Sequence, residues 1–275
     1  MQRQNPQRFF ELYLLQLLTA IAVLLILILG ITFISSGALL VSSVGQINSA
    51  LLNVHVLFYL LSGFINDGWG VVGFIVLLLV AIWTNMLYAK RLALFAKVVL
   101  YSIIIDVIAG SIIAAVIASR SLGYAYGVSG IAMTLAGITL TLASYLVAKR
   151  LNAAFSMIGI SFLLFSIAYI PFVYGNVMLC AVSIAAGVLA LALAPHRRKA
   201  VNTKALISEG STTILIICDI LLIAVLLFLA FPNNIYTSSG KINTLAHYTG
   251  LLLGFLVAFY ILNKDGKNPK INMAL

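Results

Sequence analysis

Residues 69–89 read WGVVGFIVLLLVAIWTNMLYA, and Lys90 and Arg91 follow directly. No charged side chain interrupts the stretch. An α-helix rises about 1.5 Å per residue, so a run of this length spans the roughly 30 Å hydrocarbon core of a bilayer. A membrane β-strand needs only about ten residues, and they alternate in polarity. This stretch does neither. It predicts a transmembrane helix that ends at a pair of cations.

The same pattern recurs along the chain. Apolar runs lie near residues 11–35, 98–119, 126–148, 154–175, 177–194, 212–231 and 244–262. Of the 275 residues, 63% are hydrophobic and 8% charged, and the mean hydropathy is +1.18. Soluble domains are about one quarter charged. That composition excludes soluble enzymes, coiled coils, DNA-binding modules and disordered chains. The fold class expected is all-α: a polytopic helical membrane protein with about eight transmembrane helices, residues 1–275 forming a single membrane domain. The first run exceeds the apolar core of a cleavable signal peptide and reads as a retained span.

A ninth apolar run, 48–64, carries Asn53, His55, Ser62 and Gly63 and ends in Asn66-Asp67-Gly68. Charge decides how it is read. If it does not cross and the N-terminus is cytoplasmic, all 16 Lys and Arg residues except Arg120 and Lys241 fall on the inner side. This is the positive-inside bias. If it crosses, the basic loop at 197–204 and the pairs Lys90-Arg91 and Lys149-Arg150 move outside. The run therefore reads as a partly embedded outer segment. Both termini are expected in the cytoplasm, in an integral protein of the plasma membrane. The net charge of +10 is accounted for by these loops and implies the lipid bilayer, not nucleic acid, as the partner. Cys180 and Cys218 lie inside apolar runs and read as small buried hydrophobes. Trp69 and Trp83 read as interface anchors. No metal or cofactor is called for.

Two segments carry chemistry. The first is Gly127-Val-Ser129-Gly130 at the head of an apolar helix. The second is Ala246-His247-Tyr-Thr-Gly250-Leu-Leu-Leu-Gly254, where a histidine stands beside a ladder of small residues continued by Ala258. Small residues four apart let a second helix approach closely. In the eight-span topology both helices run outside to inside, with Ser129 and His247 roughly 5–10 Å below the outer surface. The two side chains are expected to meet across a small-residue seam as nucleophile and base. A histidine inside a span is by default functional. Asp106 and Asp219, the acids well inside spans, are expected about 10 Å or more below that level and to hydrogen-bond between helices.

These two motifs resemble the Gly-x-Ser-Gly and Ala-His-x-x-Gly-x-x-x-Gly motifs of rhomboid intramembrane serine proteases. A third stretch, Leu60-Leu-Ser-Gly-Phe-Ile-Asn66-Asp-Gly-Trp69, resembles the segment where the rhomboid first loop enters its second helix. The resemblance implies a rhomboid-like helix bundle and a Ser129–His247 dyad that cleaves membrane-anchored substrate proteins. It implies oxyanion binding around Gly127 and Gly130, helped by Asn66 or His55, and helix packing through Ala246, Gly250 and Gly254. Departures exist. The family's His and Asn on the second helix align with Val71 and Ile75, and the aromatic residue that follows the serine aligns with Met133. The runs at 154–194 have no counterpart and read as a two-helix insertion. Two other functions follow from these departures and from the intramembrane acids. One is a rhomboid-like pseudoprotease that binds membrane proteins without cleaving them. The other is a transporter using Asp106 and Asp219.

Overall fold

A computed structural model describes residues 13–28, 69–119, 129–194, 210–231, 236–237, 240–241 and 244–266. Eight helices lie in this part, one overlapping each run singled out above. They are α1 (Tyr13–Ile28), α2 (Trp69–Ala89), α3 (Phe95–Ser119), α4 (Ser129–Leu151), α5 (Phe155–Val173), α6 (Val177–Ala192), α7 (Gly210–Ala230) and α8 (Thr244–Gly266). A short 3₁₀ turn, Leu92–Leu94, joins α2 to α3. The one strand pairing among the described residues is a minimal antiparallel hairpin between α7 and α8, in which Tyr236 pairs with Lys241 and Thr237 with Gly240. Five helices, α2, α3, α4, α5 and α7, are long and apolar enough to cross a membrane, while α1 and α6 are shorter apolar helices. Helix α8 is long but has polar ends, with His247 near one and Asn263-Lys264-Asp265 at the other.

Helix α4 is the axis of the bundle. It is buried along almost its whole length, and α8, α2, α5, α7 and α3 all pack on it. Its central residues Ile131, Leu135, Ala136, Ile138 and Leu142 are fully enclosed. The other spans turn one face outward: Ile214, Ile217, Leu221 and Phe228 of α7 are exposed, as suits a helix bordering lipid. Helices α5 and α6 pack mainly on each other, on the flank of α4. Ser161 donates to the Gly187 carbonyl at 2.7 Å, and the lack of a Gly187 side chain makes room for Phe165.

Three helix ends close in the same way. In the Schellman arrangement the last carbonyls take hydrogen bonds from the two residues beyond the helix. Lys90 and Arg91 donate to Leu87 and Met86, Asn152 and Ala153 to Lys149 and Ala148, and Gly175 and Asn176 to Phe172 and Pro171. Each first residue has positive φ, namely 59° at Lys90, 52° at Asn152 and 76° at Gly175. Asn176 then caps α6 by accepting from the Leu179 N–H.

Two expectations are corrected here. Trp83 is 8% exposed and its indole N–H donates to the Tyr13 carbonyl at 3.0 Å, so it ties α2 to α1 instead of anchoring the interface. Cys218 is exposed and Cys180 partly so, both with free thiols. In a bilayer, an apolar position is satisfied by lipid as readily as by protein, so hydropathy does not report burial within the bundle. The run 48–64, with His55, and the residues Asn66 and Gly127 lie outside the described residues.

Candidate active site

The site is assembled where two helices approach backbone to backbone, the closest such contact at a glycine among the described residues. Helices α4 and α8 run parallel, Gly250 facing Gly130 and Phe255 facing Gly137 and Thr141. A methyl group at Gly254 would collide with the Thr134 carbonyl oxygen, and one at Gly137 with the Leu251 carbonyl oxygen and, at 2.7 Å, the Phe255 nitrogen. One at Gly250 would stand 2.7 Å from the Gly130 carbonyl oxygen. Only glycine permits backbones to come this near. The Thr141 hydroxyl lies within hydrogen-bonding distance of both the Gly137 carbonyl, at 2.9 Å, and the Phe255 carbonyl, at 3.2 Å, which links the two helices. Ala258 is fully buried further along the same seam.

The seam brings Ser129 and His247 together. Ser129 Oγ is 2.9 Å from His247 Nε2. His247 is 7% exposed, and Ser129 is half-buried. The other ring nitrogen, Nδ1, is 2.9 Å from the carbonyl oxygen of Ala230, the last residue of α7. A carbonyl only accepts, so Nδ1 carries the proton and Nε2 of the neutral ring is left as an acceptor. The serine hydroxyl therefore donates to Nε2, the arrangement in which an imidazole serves as a base toward a hydroxyl.

Ala230 has a free carbonyl because the helix stops there. The last carbonyls of a helix lack intrahelical partners and form the negative end of its dipole. Phe231 extends the turn by donating its N–H to the Leu227 carbonyl at 3.0 Å, and Pro232 follows. Proline restricts the residue before it to extended conformations and so sets the end of α7. The fully buried Phe231 ring stands edge-on to His247, with centroids 6.0 Å apart and planes at 89°. The aromatic ring against His247 thus comes from the residue just beyond α7 and not from position 133. Met133 itself is buried in the core.

Asp106 is placed differently from the sequence expectation. Methyl groups built on Gly130 and Gly250 would stand 3.7 Å and 3.3 Å from its carboxylate oxygens, which puts the carboxyl beside the residue following Ser129 and one turn along α8 from His247. It hydrogen-bonds Thr134, whose hydroxyl is also 3.2 Å from the Gly130 carbonyl. Mid-helix Asp106 stands level with the start of α4 because α3 is offset along its axis relative to α4. Asp219 is further from the dyad, where Asn85 Nδ2 donates to its carboxylate at 2.8 Å, joining α7 to α2. Val71 and Ile75, the positions aligned with the family's donors, carry only hydrocarbon, and Ile75 sits in the core at 1% exposure. Among the described residues there is no cluster of His, Cys, Asp or Glu suited to hold a metal.

The sequence motifs contain Ser129, His247 and the glycines. They do not contain Ala230, Phe231 or Thr134. Pro232 was the available signal for a helix end near the site, but a main-chain carbonyl leaves no trace in residue type. Comparisons with protein-family models, with curated proteins and with solved structures give no match to this chain.

Proposed function

We propose that the protein is a rhomboid-like intramembrane serine protease acting on membrane-anchored proteins. The observation that carries this reading is the chain of contacts from Ser129 Oγ to His247 Nε2 and from His247 Nδ1 to the Ala230 carbonyl, each 2.9 Å long. In the proposed reaction His247 Nε2 takes the hydroxyl proton as Ser129 Oγ attacks the scissile carbonyl carbon. The Ala230 carbonyl, at the negative end of α7, holds the ring and favours the imidazolium that forms. His247 then returns the proton to the leaving amine, and water, activated by the same ring, hydrolyses the acyl-serine ester. The oxyanion is bound by the backbone N–H of Ser129, where Gly127 permits close approach, with Asn66 or His55 as added donors. All eight helices cross the membrane in this reading, with both termini cytoplasmic in the plasma membrane. Helix α7 borders the substrate's path.

The experiment is labelling of the purified protein with a serine-directed fluorophosphonate. The wild type is expected to label, and Ser129→Ala and His247→Ala are expected not to. The hydrocarbon side chains of Val71 and Ile75 favour a second reading, a pseudoprotease that binds membrane segments without cleaving them. It replaces the first if the folded protein never labels at Ser129.

A further inference from the structure

At the far end of α3 and α8 from the dyad, the two helices leave an open groove of about 480 Å³ between them. Each helix lines it in the same chemical order. On α3 the residues are Lys97, Tyr101 and Ile105, and on α8 they are Lys264, Tyr260 and Leu256. Both sets are spaced by four, so each forms a row along one helix face. The helices are antiparallel, so both rows run from cation through phenol to aliphatic in the same direction. All six side chains are exposed, and the Lys264 ammonium lies 5.7 Å from the centre of the Tyr260 ring. Asp265 also lines the groove.

That order matches the profile of a phospholipid entering a bilayer: phosphate, then glycerol ester, then acyl chain. Lysines at a membrane boundary attract anionic headgroups, tyrosines favour the interface, and aliphatic side chains favour the hydrocarbon. Two lysines and one carboxylate leave one net positive charge, which the single negative charge of a phosphodiester balances. The Asp265 carboxylate accepts hydrogen bonds, which a hydroxylated headgroup donates.

We propose that this groove is a binding site for an anionic glycerophospholipid with a hydroxyl-bearing headgroup, of the phosphatidylglycerol type. Its phosphate lies between Lys97 and Lys264, and one acyl chain runs past Tyr101 and Tyr260 to Ile105 and Leu256. The site does not depend on the protease reading, since none of these residues touches the dyad.

The test uses the full chain, purified in detergent and titrated with phosphatidylglycerol or phosphatidylcholine, with retained lipid counted by native mass spectrometry. One phosphatidylglycerol is expected to remain bound where phosphatidylcholine is washed away. Lys97→Gln and Lys264→Gln should each weaken retention about fivefold, the factor equivalent to about 1 kcal/mol per basic residue near an anionic lipid. Leu256→Trp fills the apolar limb, leaves both lysines, and should also reduce retention. Equal retention of the two lipids, or no effect of the double lysine substitution, overturns the proposal. Displacement of the lipid by inorganic phosphate together with an unaffected Leu256→Trp variant also overturns it, because the site is then one for free phosphate.

Discussion

The carbonyl oxygen of Ala230 accepts a hydrogen bond from Nδ1 of His247 at 2.9 Å. The partner that fixes the tautomer of the site histidine is therefore the end of a helix and not a carboxylate side chain. Three elements meet at this point: the N-terminal parts of α4 and α8, and the C-terminus of α7.

Moving that carbonyl should uncouple the dyad. Phe231→Pro removes the N–H that bonds Leu227 and restricts Ala230 to extended backbone. Loss of a histidine's correct orientation and tautomer costs on the order of 10⁴ in turnover where the partner is an aspartate, and a neutral carbonyl is expected to matter somewhat less. Fluorophosphonate labelling of Ser129 should fall by about 10² or more, with helix content by circular dichroism unchanged. Phe231→Leu keeps the carbonyl and loses only the edge-on ring contact, worth about 0.5–1.5 kcal/mol. It should slow labelling by no more than about tenfold.

The glycine seam gives a stability prediction with an internal control. Gly254→Ala places a methyl group against the Thr134 carbonyl and should lower stability by at least about 2 kcal/mol, because backbone cannot move aside as a side chain can. Gly73→Ala meets nothing within 4 Å and should leave stability unchanged or raise it by up to about 1 kcal/mol, the helix-propensity gain of Ala over Gly. Thermal unfolding in detergent separates the two.

Asn85 and Asp219 form a buried side-chain hydrogen bond between α2 and α7, at 2.8 Å. A double-mutant cycle with Asn85→Ala and Asp219→Ala should give a coupling of about 0.6 kcal/mol and no more than about 1.7 kcal/mol, the mean and maximum for hydrogen bonds between membrane helices. Removing Asn85 alone leaves a buried carboxyl without its donor and should be the more damaging single change.

Asp106 hydrogen-bonds Thr134 and lies beside the Gly130–Gly250 crossing. Asp106→Asn keeps the shape and a hydrogen-bonding partner for Thr134. It should leave Ser129 labelling within about threefold of the wild type, as a positioning role without proton transfer requires. Asp106→Leu puts hydrocarbon against the same crossing and should reduce labelling and stability together.

Topology is testable from the turn between α2 and α3. Ala93 is exposed there, whereas Leu92 beside it is 4% exposed and a poor reporter. With both native cysteines replaced, Ala93→Cys should resist an impermeant thiol reagent added outside sealed cells, and Asn53→Cys should react. Reaction of Ala93→Cys would reverse the eight-span orientation.

The sequence by itself determined the helices. An apolar run long enough to span a bilayer is favourable only if its backbone bonds internally, so each of the eight runs contains a helix whatever its neighbours. It also placed a serine and a histidine at the ends of two helices that carry small residues at matching intervals, and those intervals are legible because only small side chains allow close approach. The tertiary structure decided which faces meet. Hydropathy has the same value for a side chain against lipid and one against protein, so the burial of Trp83, the exposure of Cys218 and the offset that lifts Asp106 to Gly130 are not encoded in composition. Nor is the acceptor for His247, because the Ala230 carbonyl is a main-chain group present in every residue. Its role arises only where α7 stops, at the place in space where α8 begins.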